Sequence, residues 1–245
     1  MSRFFVNQKN IGDVYITITE KEDIHHIAKV LRLKPGDEID ISDCMEWEYK
    51  TEIISIENDY IEAKILDKQK FSREPKIKIT LFQGLPKQGK MELIIQKAVE
   101  LGAFQVVPVF TDRSIVTDNG KMGKKIERWQ KISDEAVKQC RRGIIPKVLE
   151  ERGFKDMLVN LESFDLVLFP YENEEKRSIK DVLQMLKEKP EKIAIIIGPE
   201  GGFSDQEAKS LKALGIDGVT LGKTILRTET AGIVAIAMTM YELEL

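Results

Sequence analysis

Two charged residues in the segment "LGKTILRTETA" have the chemistry of a reaction site. Arg227 and Glu229 lie between a strand predicted to end at Leu221 and a helix predicted to begin at residue 229. A guanidinium stabilises negative charge that develops on a reacting group, and a carboxylate orients the guanidinium or accepts a proton. Charged groups beside apolar neighbours are costly unless they are paired or used. The alternative is an Arg227–Glu229 ion pair that only pins the turn.

A second candidate site is the glycine-rich loop in "IAIIIGPEGGFSDQE", from Gly198 to Gly202. It follows an apolar strand, Ile193 to Ile197, of the kind that is buried on both faces of a parallel sheet. Ser204 and Glu207 have the spacing of a capping box, which predicts a helix from Asp205. The spacing of the glycines matches neither the dinucleotide fingerprint nor the phosphate-binding loop. We therefore expect a ligand site of another kind, and the alternative is a tight structural turn.

Strands and helices alternate in the second part of the chain, and these elements must position both segments. Strands are predicted at 77–83, 105–110, 165–170, 192–197 and 217–221. Helices are predicted at 88–102, 124–142, 178–188, 204–214 and 229–243. This alternation is typical of a mostly parallel sheet with helices on both faces. Because ligands bind at the carboxyl ends of such strands, we expect the two segments to form one pocket.

The first part of the chain has a different pattern, with short strands and one helix at about 21–32 between residues 14 and 66. Turn signals such as Pro35-Gly36-Asp37 separate the strands. The polar segment 67–76 contains a proline and has the composition of a surface linker. We therefore predict two domains, a β-rich domain at 1–72 and an α/β domain at 73–245.

Composition narrows the class of protein. The 245 residues include 38 basic and 41 acidic side chains, so affinity for nucleic acid has to come from local patches. Cys44 and Cys140 have neither metal-ligand nor disulfide-framework spacing, and the adjacent His25 and His26 point in different directions on a helix. The longest uncharged run, Thr230 to Tyr241, is too short to cross a bilayer. We expect a cytoplasmic protein without a membrane span or a metal site.

One local patch is basic. The segment from residue 113 to residue 147 contains ten basic and four acidic residues. On a helix, one stripe of it consists of Lys124, Arg128, Lys131, Lys138 and Arg142, opposite an apolar face. Such a stripe suits a phosphate backbone. The alternative is an ordinary solvated helix face.

The final predicted helix, "AGIVAIAMTMYELEL", is apolar around much of its circumference. One sheet face does not need so much apolar surface, and an exposed remainder promotes association. We therefore expect burial against a second subunit. A helix buried wholly in its own core is the alternative.

The segments "IIIGPEGGFSDQE" and "LGKTILRTETA", in this order, resemble the RsmE family of 16S ribosomal RNA uridine N3-methyltransferases, of the SPOUT superfamily. The similar segments "SRFFV", "HHIAKVLRLKPGDEI", "KQGKMELIIQKAVELGA" and "DEAVKQCRRGIIPKV" extend the resemblance over nearly the whole chain. It implies an α/β fold whose C-terminal SPOUT-type parallel-sheet domain has a deep trefoil knot, with a small N-terminal PUA-like β-barrel domain. It also implies a homodimer that binds RNA and S-adenosyl-L-methionine.

The resemblance further implies which residues form the site. The cofactor-binding residues would be Phe169, Pro170, Tyr171, Ile197, Gly198, Pro199, Glu200, Gly201, Gly202, Leu221, Gly222, Ile225, Leu226 and Arg227. Arg227 would stabilise the uridine anion that forms when the N3 proton leaves, with Glu229 as its partner and Arg113 as a third candidate. Together with the basic patch, the RNA-binding residues would be Arg3, His26, Arg32, Lys124, Arg128, Lys131, Lys138, Arg141 and Arg142. A surface or satisfied helix position is the alternative for His26.

The function implied is methylation of N3 of a uridine in 16S ribosomal RNA, either as naked RNA or in the assembled small ribosomal subunit. A non-catalytic RNA-binding protein that uses the same basic surface is the alternative, and in it the loops are only turns. A nucleotide-binding enzyme of another α/β type is a third hypothesis, which the missing phosphate motifs disfavour.

Overall fold

A computed structural model of the chain describes residues 3–71, 74–87, 89–115 and 120–244. The chain divides into two compact units. The N-terminal unit comprises Met1–Glu74 and Val137–Ile145, and the C-terminal unit comprises Pro75–Ala136 and Pro146–Leu245. The predicted boundary between residues 72 and 73 lies outside the described residues. Nothing in the sequence pattern predicts that residues 137–145 return to the N-terminal unit.

The N-terminal unit is built on a five-stranded sheet. Its strands are β1 (Arg3–Phe5), β2 (Tyr15–Ile18), β3 (Glu38–Ser42), β4 (Trp47–Ile56) and β5 (Ile61–Lys70). They lie in the order β1-β3-β4-β5-β2, and every neighbouring pair is antiparallel except β1 and β3. Alternate strand residues such as Ile39, Ile41 and Ile53 are fully buried, as a sheet with one covered face requires. The predicted small β domain is confirmed, although β5 extends into the segment that was predicted to be a linker.

One helix accompanies this sheet. It is α1 (Lys21–His25), and it continues as a π-helical turn from His26 to Val30. Its Ile24 and Ile27 are buried in the core of the unit. The predicted helix at about 21–32 is therefore present, with a change of winding at His26.

The C-terminal unit is built on a parallel sheet. Its strands are β6 (Lys78–Gly84), β7 (Gln105–Phe110), β8 (Lys147–Val148), β9 (Arg152–Gly153), β10 (Leu166–Pro170), β11 (Lys192–Ile197) and β12 (Gly218–Val219). The order is β12-β10-β11-β6-β7-β8, with β9 also paired to β7, and every pair is parallel. From Ile193 to Ile197 every residue of β11 is buried, as its unbroken apolar run predicts.

Helices cover this sheet. They are α2 (Lys90–Glu100), α3 (Met122–Cys140), α4 (Phe154–Asn160), α5 (Ile179–Gln184), α6 (Asp205–Ala213) and α7 (Thr228–Glu244). The α/β class with a parallel sheet is therefore confirmed. The start predicted for the second helix, residue 88, lies outside the described residues. The elements α4, β8 and β9 were not predicted from the sequence. The strands β8 and β9 have two residues each, which is too short to show an alternating pattern.

The last helix, α7, packs on β6 and β11 and against α2 and α5. Gly232 permits this close approach, since a Cβ atom there would lie 3.3 Å from Gln83 Oε1. Leu93 of α2 and Met238 and Tyr241 of α7 nevertheless remain exposed. Among the described helices, none combines the length and apolar character that crossing a membrane requires.

Candidate functional site

Three loops meet at the carboxyl ends of adjacent strands. The strands β12, β10 and β11 are neighbours, so the segments that follow them leave the sheet side by side. Together they enclose a cleft of about 1030 Å³. Its lining residues are Lys90, Pro170, Tyr171, Glu172, Glu174, Glu175, Ile197 to Gly202, Val219 to Thr228 and Ala231. The predicted pocket shared by the glycine-rich loop and the "LGKTILRTETA" segment is therefore present.

The residues predicted to bind the cofactor nearly all line this cleft. Phe169 is the exception, because its side chain is buried and stacks on Tyr171 with 5.1 Å between the ring centroids. The Phe169 ring therefore packs against the ring of Tyr171. Sequence reasoning missed three glutamates of the first loop, at positions 172, 174 and 175, and it also missed Lys90.

The glycine-rich loop is anchored on its downstream side by the predicted capping box. Ser204 Oγ accepts a hydrogen bond from the Glu207 N–H, and the Glu207 carboxylate accepts one from the Ser204 N–H. Glu207 is only 3% exposed, and it also accepts a hydrogen bond from the Asp112 N–H at 2.9 Å. The start of α6 is therefore tied to the segment that follows β7.

Arg113 belongs to that same segment. Its side chain is exposed and donates a hydrogen bond from Nη1 to the Gly201 carbonyl at 2.9 Å. A Cβ atom on Gly201 would lie 3.2 Å from Arg113 Cβ, so the two residues are in close contact. Arg113 is not among the residues that line the cleft, and it holds the outer side of the glycine-rich loop.

The start of α7 is fixed to the other side of the loop. Thr228 Oγ1 donates a hydrogen bond to the Gly198 carbonyl at 2.5 Å and accepts one from Gln83 Nε2 at 2.9 Å. The end of β6 also touches the loop, because a Cβ atom on Gly84 would lie 2.6 Å from Pro199 N. Only glycine at position 84 leaves room for the proline.

Lys90, the first residue of α2, carries a cation into the cleft. Its Nζ lies 3.0 Å from Glu200 Oε1 and 3.1 Å from Glu229 Oε2. Its interactions with Glu200 and then with Glu229 outweigh partial burial and raise the pKa of Lys90. A lysine in the first turn opposes the helix dipole. This unfavourable position is the feature of the sequence that could have indicated a role for Lys90, since a cation there needs acidic partners from other elements.

Both acidic partners of Lys90 are held in the ionised form. Burial raises the pKa of Glu200, but Lys90, the Glu200 N–H and the Lys87 N–H together lower it further than burial raises it. Burial likewise raises the pKa of Glu229. The Glu229 N–H at the start of α7, the Lys90 ammonium and the Arg227 charge bring that pKa below its usual value. We conclude that Glu229 is an anion at neutral pH.

Arg227 and Glu229 are not joined by an ion pair in the described part of the chain, although both line or border the cleft. Glu229 pairs with Lys90 instead. The exposed guanidinium of Arg227 makes no hydrogen bond or ion pair with any residue that the structure describes. The alternative interpretation of an Arg227–Glu229 pair that pins the turn is therefore wrong.

Predicted RNA-binding residues of the C-terminal unit lie on α3. Lys124, Arg128 and Lys131 are exposed, while Trp129 and Ser133 on the other face are buried, as the periodicity predicts. Arg128 Nη2 lies 2.7 Å from Glu92 Oε1. Lys124 and Lys131 have no ionic partner within the described ranges.

Predicted RNA-binding residues of the N-terminal unit have mixed surroundings. Arg32 and Arg141 are exposed, and both have positive φ angles, of 55° and 59°. Lys138 is exposed and pairs with Asp23 at 3.2 Å. His26 is half-buried, and its ring lies edge-on to Phe4 at 6.1 Å.

Arg3 and Arg142 are engaged inside the N-terminal unit. Arg3 pairs with Glu48 and donates hydrogen bonds to the carbonyls of Arg141 and Arg142. Arg142 is 5% exposed and pairs with Glu74 at 2.9 Å. Because α3 ends at Cys140 and Arg141 has a left-handed φ, Arg142 does not continue the basic stripe that helical periodicity predicts.

No cluster of metal-binding side chains is present in the part of the chain that the structure describes. There, no three histidine, cysteine, aspartate or glutamate side chains are grouped closely enough to hold an ion.

The chain is similar to known proteins over its full length. The RNA methyltransferase domain family matches residues 72–240, and the RNA methyltransferase PUA domain family matches residues 18–66. The Bacillus subtilis protein named ribosomal RNA small subunit methyltransferase E is 35% identical over 100% of this chain and 98% of its own length.

Solved structures agree with this similarity. The ribosomal RNA small subunit methyltransferase E of Neisseria gonorrhoeae, bound to S-adenosyl methionine, has a TM-score of 0.86 and 30% identity, covering 98% of this chain and 97% of that one. A methyltransferase of Legionella pneumophila in complex with the same cofactor has a TM-score of 0.83 and 30% identity, covering 98% and 96%. The chain therefore belongs to the RNA methyltransferase family that includes the ribosomal RNA small subunit methyltransferase E proteins.

Proposed function

We propose that the protein transfers a methyl group from S-adenosyl-L-methionine to N3 of a uridine in the 16S ribosomal RNA of the small subunit. The observation that carries this proposal is the joining of three loops at adjacent strand ends into one cleft, in a chain of the RNA methyltransferase family. Two similar structures, from Neisseria gonorrhoeae and Legionella pneumophila, are complexes with this cofactor.

The residues of the cleft fit the cofactor. The cleft volume of about 1030 Å³ lies at the upper end of the range for ligand sites, roughly 300–1,000 Å³, which leaves space for a substrate base. Ile197, Leu221 and Leu226 provide apolar walls for adenine, and the bare backbone at Gly198 supplies hydrogen-bonding groups. Glu172 and Glu175 of the first loop are exposed, Glu174 is half-buried, and the three carboxylates provide negative charge for a cationic ligand. Bound there, the cofactor supplies a methyl group on a positively charged sulfur.

The protein's own contribution to the chemistry is electrostatic. For uridine N3 to act as a nucleophile, its proton has to leave to solvent water before or during methyl transfer, and the negative charge left behind spreads to the base oxygens. The guanidinium of Arg227 lines the cleft, has no partner among the residues that the structure describes, and can donate two hydrogen bonds to such oxygens. The lowered pKa of Glu229 makes that carboxylate a weak proton acceptor, so its role is to balance charge in the cleft.

RNA contacts are proposed separately for the two units. In the C-terminal unit, the exposed Lys124 and Lys131 of α3 have no ionic partner among the described residues, and they suit a phosphate backbone. In the N-terminal unit, which has the PUA family match, Arg32 and Arg141 present exposed guanidinium groups. Arg3 and Arg142 serve the structure of that unit and are left out of this proposal.

We further propose a homodimer that works in the cytoplasm, on naked RNA or on the assembled small subunit. The exposed apolar side chains of Leu93, Met238 and Tyr241 on two packed helices, α2 and α7, support a second copy as partner. The trefoil knot is also proposed. The path of the chain supports this proposal. After β12, at the edge of the sheet, the chain crosses the neighbouring strand β10, and its Thr228 then contacts Gly198, the residue that follows β11.

Calorimetric titration with S-adenosyl-L-methionine tests the proposal, with ATP as the control ligand. We expect binding of S-adenosyl-L-methionine and none of ATP, because the loops lack a phosphate cradle. Incubation with 16S ribosomal RNA or small subunits should then yield 3-methyluridine in nucleoside mass mapping. The absence of cofactor binding, with and without RNA, would favour the non-catalytic RNA-binding alternative, and ATP binding would favour a different α/β enzyme.

A further inference from the structure

Glu229 has two cations near it, Lys90 and Arg227, and within the described residues it forms an ion pair only with Lys90. Its Oε2 lies 3.1 Å from Lys90 Nζ, and both side chains are largely covered, with 15% and 29% exposure. Arg227 is near enough for its charge to lower the pKa of Glu229, yet no ion pair links these two described residues. The partner of Glu229 therefore comes from α2, and the arginine two residues away stays unpaired.

Lys90 has a second carboxylate partner besides Glu229. Gly89 precedes it with a φ of 81°, a conformation that glycine adopts without strain, and the backbone of α2 follows. On its other side the ammonium lies 3.0 Å from Glu200 Oε1, and the Glu200 carboxylate also accepts a hydrogen bond from the Lys87 N–H at 3.1 Å. The Lys90 ammonium therefore has one carboxylate partner from the glycine-rich loop and one from α7.

We propose that Lys90 is a positioning residue that retains Glu229 in an ion pair and thereby keeps the Arg227 guanidinium open to the substrate. An Arg227 paired with Glu229 would have to break that pair before it contacted a uracil oxygen, and its charge would already be balanced. The inference rests on the proposed function for the identity of the substrate. The charge arrangement itself belongs to the protein without substrate.

The charge arrangement is tested on the unliganded protein by phenylglyoxal, which modifies accessible arginine side chains. The rate at Arg227 is followed by peptide mass analysis in the wild type, Lys90→Ala, and Lys90→Ala with Glu229→Gln. We expect Lys90→Ala to slow modification by about tenfold, because the released carboxylate moves to the guanidinium. Adding Glu229→Gln should restore the wild-type rate. An unchanged rate in Lys90→Ala would overturn the proposal.

Two further variants separate this role from a general effect. Lys90→Arg keeps a cation beside Glu229 and should retain the wild-type rate at Arg227. Lys87→Ala removes an exposed charge from the same segment and should also leave it unchanged. A loss of Arg227 reactivity in Lys87→Ala equal to that in Lys90→Ala would contradict a specific role of Lys90.

Single-turnover methylation gives the second arm of the experiment. At saturating S-adenosyl-L-methionine, we expect Lys90→Ala to lower the rate of methyl transfer, and Glu229→Gln to recover part of that rate in the double variant. A double variant no faster than Lys90→Ala would overturn the proposal. If the wild type binds no cofactor and transfers no methyl group, the proposed function fails, whereas the labelling experiment still decides whether Lys90 controls Arg227.

Discussion

At the scale of single residues, the free guanidinium of Arg227 is the group best suited to the chemistry of the cleft. An arginine stays charged at any working pH and offers a planar fork of N–H donors. The base oxygens of a uridine anion are acceptors that this fork can match. In an exposed site, water weakens the interaction between the guanidinium and these oxygens until the bound substrate excludes that water. The stabilisation that Arg227 provides therefore depends on substrate binding. It is larger in the transition state than in the free protein.

Replacement of Arg227 by alanine should lower kcat by about 10²–10³-fold, the usual effect of removing a group that stabilises developing negative charge. Arg227→Lys keeps the charge without the fork and should give an intermediate kcat. The measurement is steady-state methylation of 16S ribosomal RNA at saturating substrate, with thermal unfolding as the control for folding. A kcat equal to that of the wild type in Arg227→Ala would exclude the proposed role.

Sequence reasoning identified Arg227 but could not identify its neighbours. The Lys90–Glu229 pair joins residues from distant parts of the chain, and no local spacing encodes such a contact. Arg142 shows the opposite error, because helical periodicity was extended to a residue beyond the end of α3. Sequence patterns predicted the faces of single helices and strands correctly. They did not predict where a helix ends or which residues of different elements are in contact.

At the scale of elements, the glycine-rich loop owes its shape to anchors on several sides. The capping box of α6, the Thr228 hydroxyl of α7 and the end of β6 each fix a different part of it. The capping box and the buried strand were predictable, because both are local patterns. The contact of Gly84 with Pro199 was not, because it depends on the pairing of β6 with β11.

Gly84→Ala should destabilise the C-terminal unit by about 1–3 kcal/mol, since its methyl group would overlap the backbone of Pro199. The melting temperature should fall by about 2–4 °C for each kcal/mol. Affinity for S-adenosyl-L-methionine should fall as well, because the loop has to shift.

Gly123→Ala is the matched control for this substitution. Gly123 lies in α3, has no heavy atom within 4 Å of an added Cβ, and has no positive φ. Alanine there should stabilise the protein by up to about 1 kcal/mol through its helix propensity. Equal melting temperatures for the two variants, measured by calorimetry, would show that position 84 has room for a side chain.

The whole protein has a net charge of −3, whereas its proposed RNA substrate is a polyanion. The overall field therefore does not attract RNA, and attraction has to come from local groups of unpaired cations. Several basic residues that the sequence suggested for this role, such as Arg142 and Lys138, already have acidic partners. Fewer cations remain for phosphates than a count of lysine and arginine suggests.

Lys124→Ala combined with Lys131→Ala should weaken RNA binding and make it less dependent on salt. For two lost phosphate contacts, the slope of log K against log salt should fall in magnitude by about 2. The matched control is Lys209→Ala with Lys212→Ala, which removes the same charge from exposed positions of α6. Equal slopes for the two double variants, measured by fluorescence anisotropy, would assign the effect to overall charge.

The return of residues 137–145 to the N-terminal unit has a consequence for synthesis on the ribosome. The Glu74 carboxylate accepts hydrogen bonds from the Gly143 and Ile144 N–H groups, so its partners are translated only after the stretch from Pro75 to Ala136 has emerged. Nascent chains generally fold one domain at a time, from the amino end onward. In this protein the N-terminal unit cannot be completed until residues 137–145 have been synthesised, after most of the first half of the C-terminal unit. A nascent chain that ends before residue 145 therefore contains an incomplete N-terminal unit.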